Sequence, residues 1–380
     1  MHKKKAMAKR SVKAAVIGAG MSGLIAAREL RREGHRVVVF EKGTEVGGTW
    51  VYDPRVESDP LGLDPGREVI HSSMYKSLRV NLPRPIMGFL DYPLDAKPGV
   101  RDDPRPFPGH EEVLRFLQGF AADSGVVELV RFGHEVVRVE QVAEGRNDEW
   151  VVEWRTRDGE ASAETFEAVV VCNGKFTEPR LAEFPGRSTW RGEQIHSHNY
   201  RIPEPYKDKI VVIIGNGPSG IDIAKDILHV AKEVHLASRE TTKLEILEGL
   251  FQHSPAIAFL LSELQSRWVA KILSGKILLP SEEEMMSSVH EYYQRIEAAG
   301  WPKRHTHRLQ LEKFDYENWL VGELGLPPLE KWRQNMYFTS LSLLMTLGEN
   351  WRDTWDVEKW MKGEAGGEEE PDKINCTLEC

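Results

Sequence analysis

A glycine-rich turn between a strand and a helix occurs twice in this 380-residue chain, and the duplication limits what the chain can fold into. The first copy is AAVIGAGMSGLIAAREL, from Ala14 to Leu30, and the second is VVIIGNGPSGIDIAKDI, from Val211 to Ile227. In each copy, an apolar run typical of a buried parallel strand precedes three glycines at G-x-G-x-x-G spacing. The sequence therefore predicts an α/β protein with two dinucleotide-binding, Rossmann-like domains.

The first motif is followed by an acidic residue at the distance that ribose recognition requires. Gly18 allows the tight turn, Gly20 lets the backbone approach a pyrophosphate, and Gly23 lets the helix pack closely on the strand. Glu41 ends the next strand, and its carboxylate can accept from a ribose 2′-hydroxyl but repels a 2′-phosphate. The first site is therefore expected to hold FAD or NAD rather than NADP. The other turn residues expected to line the pyrophosphate are Ala19, Met21 and Ser22.

The second motif has a different residue at the equivalent position. Its glycines are Gly215, Gly217 and Gly220, and the strand after its helix ends at Arg239 without an acid. An arginine there can take a 2′-phosphate through charge-assisted hydrogen bonds, although a solvated strand-end residue is the alternative. The second site is therefore expected to hold NADPH. The other turn residues expected to line it are Asn216, Pro218 and Ser219.

Composition argues against several partners. A net charge of −9 is unsuited to nucleic acid, which requires clustered Lys and Arg. No apolar run approaches the roughly 18 residues of a membrane helix. The three cysteines, Cys172, Cys376 and Cys380, indicate no disulfide framework, so a cytoplasmic location and a small-molecule partner are expected. No residue is assigned to a metal, and the oligomeric state is left open.

The strand and helix pattern gives a coarse domain organisation. Strands are predicted over residues 13–17 and 36–40, and helices over 22–32 and 111–122. The runs EVVRVEQV and WVVEWRT alternate apolar and polar residues and predict an antiparallel meander, whereas ETFEAVVVCNG ends in an apolar run expected to rejoin the parallel sheet. The expected divisions are an N-terminal extension (1–10), an FAD-binding domain (11–180), an NADPH-binding domain (181–250), a C-terminal helical part of the FAD domain (251–360) and a disordered acidic tail (361–380).

Four features together resemble a flavin-containing monooxygenase, specifically the plant branch that S-oxygenates methylthioalkyl glucosinolates. The first two are the glycine motifs, with the run Gly47-Gly48-Thr49-Trp50 after the first. The third is WRGEQIHSHNY, which has the spacing of the family's identifying motif. The fourth is YKSLRVNLPRPIMGFLDYP, which is similar to the segment that supplies the family's active-site asparagine, here Asn81. The similarity extends through ELQSRWVAKILSGKILLPSEEEMM to about Trp355.

The resemblance implies a mechanism. FAD in the first site, with Gly48 and Trp50 among its contacts, would be reduced by NADPH and would react with O₂ to give a flavin hydroperoxide. A thioether sulfur or an amine would then attack the distal oxygen. Asn81 would hydrogen-bond the flavin or the NADP⁺ amide and protect that oxidant, whereas without the resemblance it reads as a turn residue. His196 and Tyr200 are interpreted as structural, and Cys172 as a core residue rather than a nucleophile.

One part of the family pattern is missing. After Arg239, further strand–helix units of about thirty residues each are expected, yet the C-terminal resemblance resumes by Glu263. The chain is therefore interpreted as a family member with an internal deletion and a shortened NADPH domain. With such a deletion, the chain could be a monooxygenase, an uncoupled NADPH oxidase or a catalytically silent flavoprotein, and the sequence does not decide among these three functions.

Overall fold

The computed structural model describes residues 10–94, 103–142, 149–237, 258–300, 306, 312–344 and 351–362. Within these ranges the strands are β1 (Lys13–Ile17), β2 (Arg36–Glu41), β3 (Gly88–Phe89), β4 (Tyr92–Pro93), β5 (Val130–Phe132), β6 (His134–Gln141), β7 (Trp150–Thr156), β8 (Ala161–Phe166), β9 (Ala168–Val171), β10 (Ile210–Ile214) and β11 (Glu233–Ala237). The helices are α1 (Met21–Arg32), α2 (His110–Asp123), α3 (Pro218–Ile227), α4 (Ala258–Leu273), α5 (Glu282–Ala298), α6 (Glu312–Leu324), α7 (Lys331–Leu344) and α8 (Val357–Met361).

A parallel sheet in the order β5-β2-β1-β9 carries the first glycine turn. The predicted strand over 13–17 is confirmed, the strand predicted over 36–40 runs one residue further, and α1 begins one residue earlier than predicted. Val16 and Val39 pack in the main core with α1 on one face, and Ala15 and Phe40 pack under the meander on the other. Both faces are buried, which explains why these strands read as continuous apolar runs.

The antiparallel meander contains β6, β7 and β8. The third strand-like run of the sequence, residues 164–174, divides at Glu167. Residues 164–166 end β8, which pairs with β7, and residues 168–171 are β9, which pairs with β1. The prediction that the apolar end of this run joins the parallel sheet is therefore confirmed, whereas the residues before Glu167 belong to the meander. The meander lies on the sheet through Phe40, whose ring centroid is 5.0 Å from that of Trp154.

The second glycine turn lies on a smaller sheet. Strands β10 and β11 pair in parallel, and α3 covers one face of them. The other face leaves Ile210, Val212 and Ile214 exposed to 57%, 47% and 55%. Among the residues that the structure describes, this sheet has two strands. The predicted shortening of the domain stays a prediction, because residues 238–257 lie outside the described ranges.

One C-terminal helix packs against the helix of the first sheet. Helix α4 begins at Ala258 and lies along α1. The buried Glu263 carboxylate lies 3.4 Å from Arg28 Nη2 and accepts from the Leu90 N–H at 2.6 Å. Burial raises the pKa of Glu263. Residues 258–273 are therefore tied to the first domain through a buried ion pair.

Helix α5 begins with a capping box. Ser281 Oγ accepts from the Glu284 N–H at 3.2 Å, and the Glu284 carboxylate accepts from the Ser281 N–H at 2.8 Å. Two donors at the helix start are thereby satisfied. Of the helices in the described ranges, none is long and apolar enough to span a bilayer.

Candidate functional site

The first glycine turn is shaped by its neighbours. Gly18 has φ +101°, and its N–H donates to the Phe40 carbonyl at 2.7 Å. A Cβ at position 18 would lie 2.5 Å from the Cys172 carbonyl oxygen, and one at Gly23 would overlap the Gly18 carbonyl. Gly18 and Gly23 are therefore required by the backbone packing itself.

Gly20 is in a different situation. It is the N-cap of α1, with φ −75°, and a Cβ there would be 3.5 Å from Gly48 Cα, an ordinary contact. No described side chain caps α1, and its first turn carries no acid. The N–H groups of that turn are therefore open to an anion, as the predicted pyrophosphate site requires.

Glu41 ties the turn to the loop after β2. One carboxylate oxygen accepts from the Ala19 N–H at 2.7 Å, and the other accepts from the Gly43 N–H at 2.6 Å. The sequence predicts a bond to a ribose hydroxyl but gives no sign of these two backbone bonds. A carboxylate has about four acceptor positions, so the predicted ribose contact fits beside them.

The run of residues 47–50 lies against the first turn. Gly47 bridges Gly20 in parallel, and its N–H donates to the Ala19 carbonyl at 3.0 Å. Gly48 has φ +58°, and a Cβ there would be 2.8 Å from Gly20 Cα. Trp50 is 6% exposed and packs in the main core. The structure therefore places Gly48 at the turn, whereas Trp50 is buried in the core beside it.

Asn81 is held by a residue from the far end of the chain. Its Oδ1 accepts from Arg352 Nη2, and the same nitrogen donates to Asp222 Oδ1 of α3 at 3.0 Å. The side chains of Arg352 and Asp222 are 14% and 11% exposed. Neither residue was identified from the sequence, because Arg352 lies 271 positions from Asn81 and no local pattern connects them.

A cavity of about 520 Å³ is lined in part by Leu82, the residue that follows Asn81 in the sequence. Apolar residues of α4, α6 and α7 and of the loops beside them share its wall with charged and amide side chains, and Lys313 and Glu317 form an ion pair of 2.6 Å within it. Burial lowers the pKa of Lys313 and raises that of Glu317. The arrangement provides a partly apolar space with a buried ion pair in its wall.

The second glycine turn repeats the geometry of the first with fewer neighbours. Gly215 has φ +108°, and its N–H donates to the Ala237 carbonyl at 2.8 Å. A Cβ at Gly220 would overlap the Gly215 carbonyl, as in the first turn. At Gly215, however, a Cβ would meet no described atom within 4 Å, whereas Gly18 faces the end of a third strand.

The remaining residues of the second site are partly described. Gly217 is the N-cap of α3, Pro218 is its first residue, and Ser219 is exposed, whereas Asn216 is half-buried. Arg239, the predicted partner of a 2′-phosphate, lies outside the described residues.

The family-like motif before the second turn is a packing element. Tyr200 is buried, its hydroxyl donates to the Asp226 carboxylate of α3, and its ring contacts Tyr75 at 5.3 Å between centroids. His196 Nδ1 accepts from the His198 N–H at 3.0 Å, and burial lowers the pKa of His196. Trp190 is exposed. Burial also raises the pKa of Cys172 to about 11, so its thiol is neutral at physiological pH.

Comparison with known proteins identifies the family. Residues 11–247 match the family model FMO-like, described as flavin-binding monooxygenase-like. The chain is 42% identical over 425 aligned positions to the flavin-containing monooxygenase FMO GS-OX-like 2 of Arabidopsis thaliana, with 90% of this chain and 91% of that protein covered. It is 43% identical over 426 positions to FMO GS-OX5 of the same organism, with 91% and 92% covered.

Solved structures agree with these sequence matches. S-allyl-L-cysteine S-oxygenase from Allium sativum superposes with a TM-score of 0.85 at 40% identity, covering 94% of this chain and 98% of that one. Tmm from Pelagibacter sp. strain HTCC7211 has the same fold, with a TM-score of 0.68 at 21% identity, covering 86% and 89%. The chain belongs to the flavin-containing monooxygenase family, in the branch of the plant GS-OX and GS-OX-like enzymes.

Proposed function

We propose that this protein is an FAD- and NADPH-dependent S-oxygenase of small thioethers. The observation that carries the proposal is the open N-terminus of α1, with Gly20 and Glu41 arranged around it and Asn81 held by Arg352. The two glycine turns support two cofactors, one that stays bound and one that delivers a hydride. Bound FAD would supply the oxygen-transfer chemistry.

The chain's own residues would bind and orient FAD. The backbone of Gly20 leaves room for a pyrophosphate beside the uncapped N–H groups of α1. Glu41 would use its remaining acceptor positions for a ribose hydroxyl. These features support FAD in the first site, and the start of α3, which has neither a side-chain cap nor an acid in its first turn, supports NADPH in the second together with Arg239 in the sequence after β11.

The thioether sulfur of methylthioalkyl glucosinolates is the substrate we propose. The relatives named GS-OX and the S-allyl-L-cysteine S-oxygenase support a sulfur-containing substrate. The cavity beside Leu82 is apolar enough to receive an alkyl thioether and carries a buried ion pair for a polar end. The oxidant belongs to the cofactor, so few side chains need to be catalytic. A cytoplasmic location is part of the same proposal.

We further propose that the second domain is shortened. The alignment with one relative spans 425 positions, whereas 90% of 380 residues is about 342, so many aligned positions have no residue in this chain. The exposed apolar face of β10 and the open space beside Gly215 also support a sheet with fewer strands. Hydride transfer is steeply sensitive to placement, since an error of about 1 Å costs about a hundredfold. Oxygenation is therefore expected to be far slower than in an uninterrupted relative.

Anaerobic mixing with NADPH, followed by air, tests this function. The purified protein is expected to carry flavin, to bleach slowly with NADPH, and to form a sulfoxide in amounts that depend on the added thioether. NADPH consumption with peroxide release and no sulfoxide would identify an uncoupled oxidase. Absence of any bound flavin, with FAD supplied during purification, would refute the proposal and identify a silent member of the family.

A further inference from the structure

We infer that Arg352 is a positioning residue that fixes the orientation of the Asn81 amide toward the cofactor. The inference rests on the proposed function, because it concerns how Asn81 meets a bound cofactor. It adds Arg352 to the residues that the sequence assigns to the site.

The chemistry of the guanidinium determines which end of the amide it contacts. Arginine has donors and no acceptor, so Asn81 must present its oxygen to Arg352. The amide nitrogen is then directed to the opposite side. Among the described residues, the side-chain bond of Asn81 is the one that its oxygen accepts from Arg352, which leaves the two Nδ2 hydrogens for a bound cofactor. Without Arg352, the amide could turn over and present an acceptor instead.

Arg352 is itself held by charge. Its Nη2 carries two hydrogens, of which one goes to Asn81 and the other to Asp222 Oδ1 at 3.0 Å. Asp222 neutralises the buried guanidinium, which a lone Asn81 could not do. Because Asp222 lies on α3, the helix of the second glycine turn, Arg352 joins that helix to the Asn81 loop.

The segment around Arg352 is docked on the Asn81 loop by separate contacts. The rings of Trp351 and Trp355 lie 4.8 and 5.4 Å from that of Phe107, and Asp353 pairs with Arg79 at 2.7 Å. Arg79 in turn donates to the Phe107 carbonyl at 3.0 Å. The docking therefore has its own anchors, and removal of the Arg352 guanidinium alone should leave the segment in place.

The test compares Arg352→Met with Asn81→Leu, alone and combined, and uses Arg79→Met as the control. Arg79→Met removes a guanidinium of the Asn81 loop that pairs with Asp353, and it leaves the Arg352–Asn81 bond and the Phe107–Trp351 ring contact in place. The first readout is urea unfolding of the cofactor-free protein, because a double-mutant cycle measures contact between two side chains without any cofactor. The combined variant is expected to lose less than the sum of the single losses. Additive losses would overturn the inference.

The second readout is the share of consumed NADPH that appears as peroxide, with S-allyl-L-cysteine as the probe substrate. Arg352→Met and Asn81→Leu are expected to lower the sulfoxide-to-peroxide ratio by a similar factor of about ten or more, and the double variant no further. Arg79→Met is expected to keep the wild-type ratio. Equal ratios in Arg352→Met and Arg79→Met would overturn the positioning role. A wild-type protein without flavin would instead refute the proposed function, while the unfolding cycle would still decide the Arg352–Asn81 contact.

Discussion

Gly23 is required by backbone packing, whereas Gly20 is expected to leave room for the cofactor. Alanine substitutions at these two positions can separate the two roles. A Cβ at Gly23 would overlap the Gly18 carbonyl oxygen and lie 3.0 Å from its carbon. Both atoms are backbone and cannot rotate away, so α1 would have to move off β1. A Cβ at Gly20 would meet Gly48 Cα at 3.5 Å, which needs no movement.

The expected magnitudes follow from these distances. Gly23→Ala is an overpacking change and should lower the free energy of unfolding by about 1–3 kcal/mol or more. Gly20→Ala places alanine at φ −75°, which alanine adopts freely. Its poorer N-capping and its reduced unfolded-state entropy nearly cancel, so the apoprotein should change by less than about 0.5 kcal/mol. FAD binding should nevertheless weaken at least tenfold, since the added methyl group occupies the approach to the pyrophosphate.

The assay is urea unfolding of the cofactor-free variants, followed by titration with FAD and measurement of the flavin retained. Gly23→Ala should show an earlier unfolding midpoint, and Gly20→Ala should show a wild-type midpoint with reduced flavin. Wild-type FAD affinity in Gly20→Ala, with stoichiometric flavin, would refute the assignment of this turn to the pyrophosphate. Equal destabilisation by both substitutions would refute the conclusion that a Cβ fits at Gly20 without movement of its neighbours.

Three other changes test separate parts of the structure. Iodoacetamide at pH 8 should modify Cys172 more than about a hundredfold more slowly in the folded protein than in urea, because burial raises the pKa of its thiol to about 11 from about 8.5 in an unfolded chain. The modification rate of the folded protein should rise with pH up to that value. Equal rates in folded and unfolded protein, measured by peptide mass spectrometry, would contradict the burial of Cys172. Val212→Lys should change the urea-unfolding free energy by less than about 0.5 kcal/mol, since the side chain is already exposed, and a loss above about 2 kcal/mol would mean that this face is covered. Arg239→Ala should weaken NADPH binding by about 1.5–3 kcal/mol with NADH unaffected, as measured by titration, and an equal loss for both would show a role in folding alone.

The first sheet could be predicted closely because its signals are local. The spacing of the glycines and the continuous apolar run before them predicted the bounds of β1 and α1 to within one residue. The division of one strand-like run into β8 and β9 was harder, because the change at Glu167 depends on which neighbour each half meets. The run contained a clue, since Glu164 and Thr165 are polar whereas residues 168–171 are continuously apolar.

The candidate site was predicted less completely because its contacts are long-range. The position of Gly48 at the turn followed from a motif, but the two backbone bonds of Glu41 did not. The Arg352–Asn81 contact joins residues whose local sequences give no sign of each other. Sequence patterns report helix faces and turns, whereas the pairing of two buried polar groups depends on how distant segments pack.

The contact between Asn81 and Arg352 also sets an order for biosynthesis. Chains leave the ribosome N-terminus first at about 5–20 residues per second, and domains generally fold as units. The first glycine turn and its sheet can assemble once β9 has emerged, but Asn81 receives its partner 271 residues after its own synthesis. A nascent chain, or one cut before Trp351, would therefore have the first turn and its sheet without the group that orients Asn81. Completion of the site thus waits for synthesis of the segment that contains Arg352, 271 residues after Asn81.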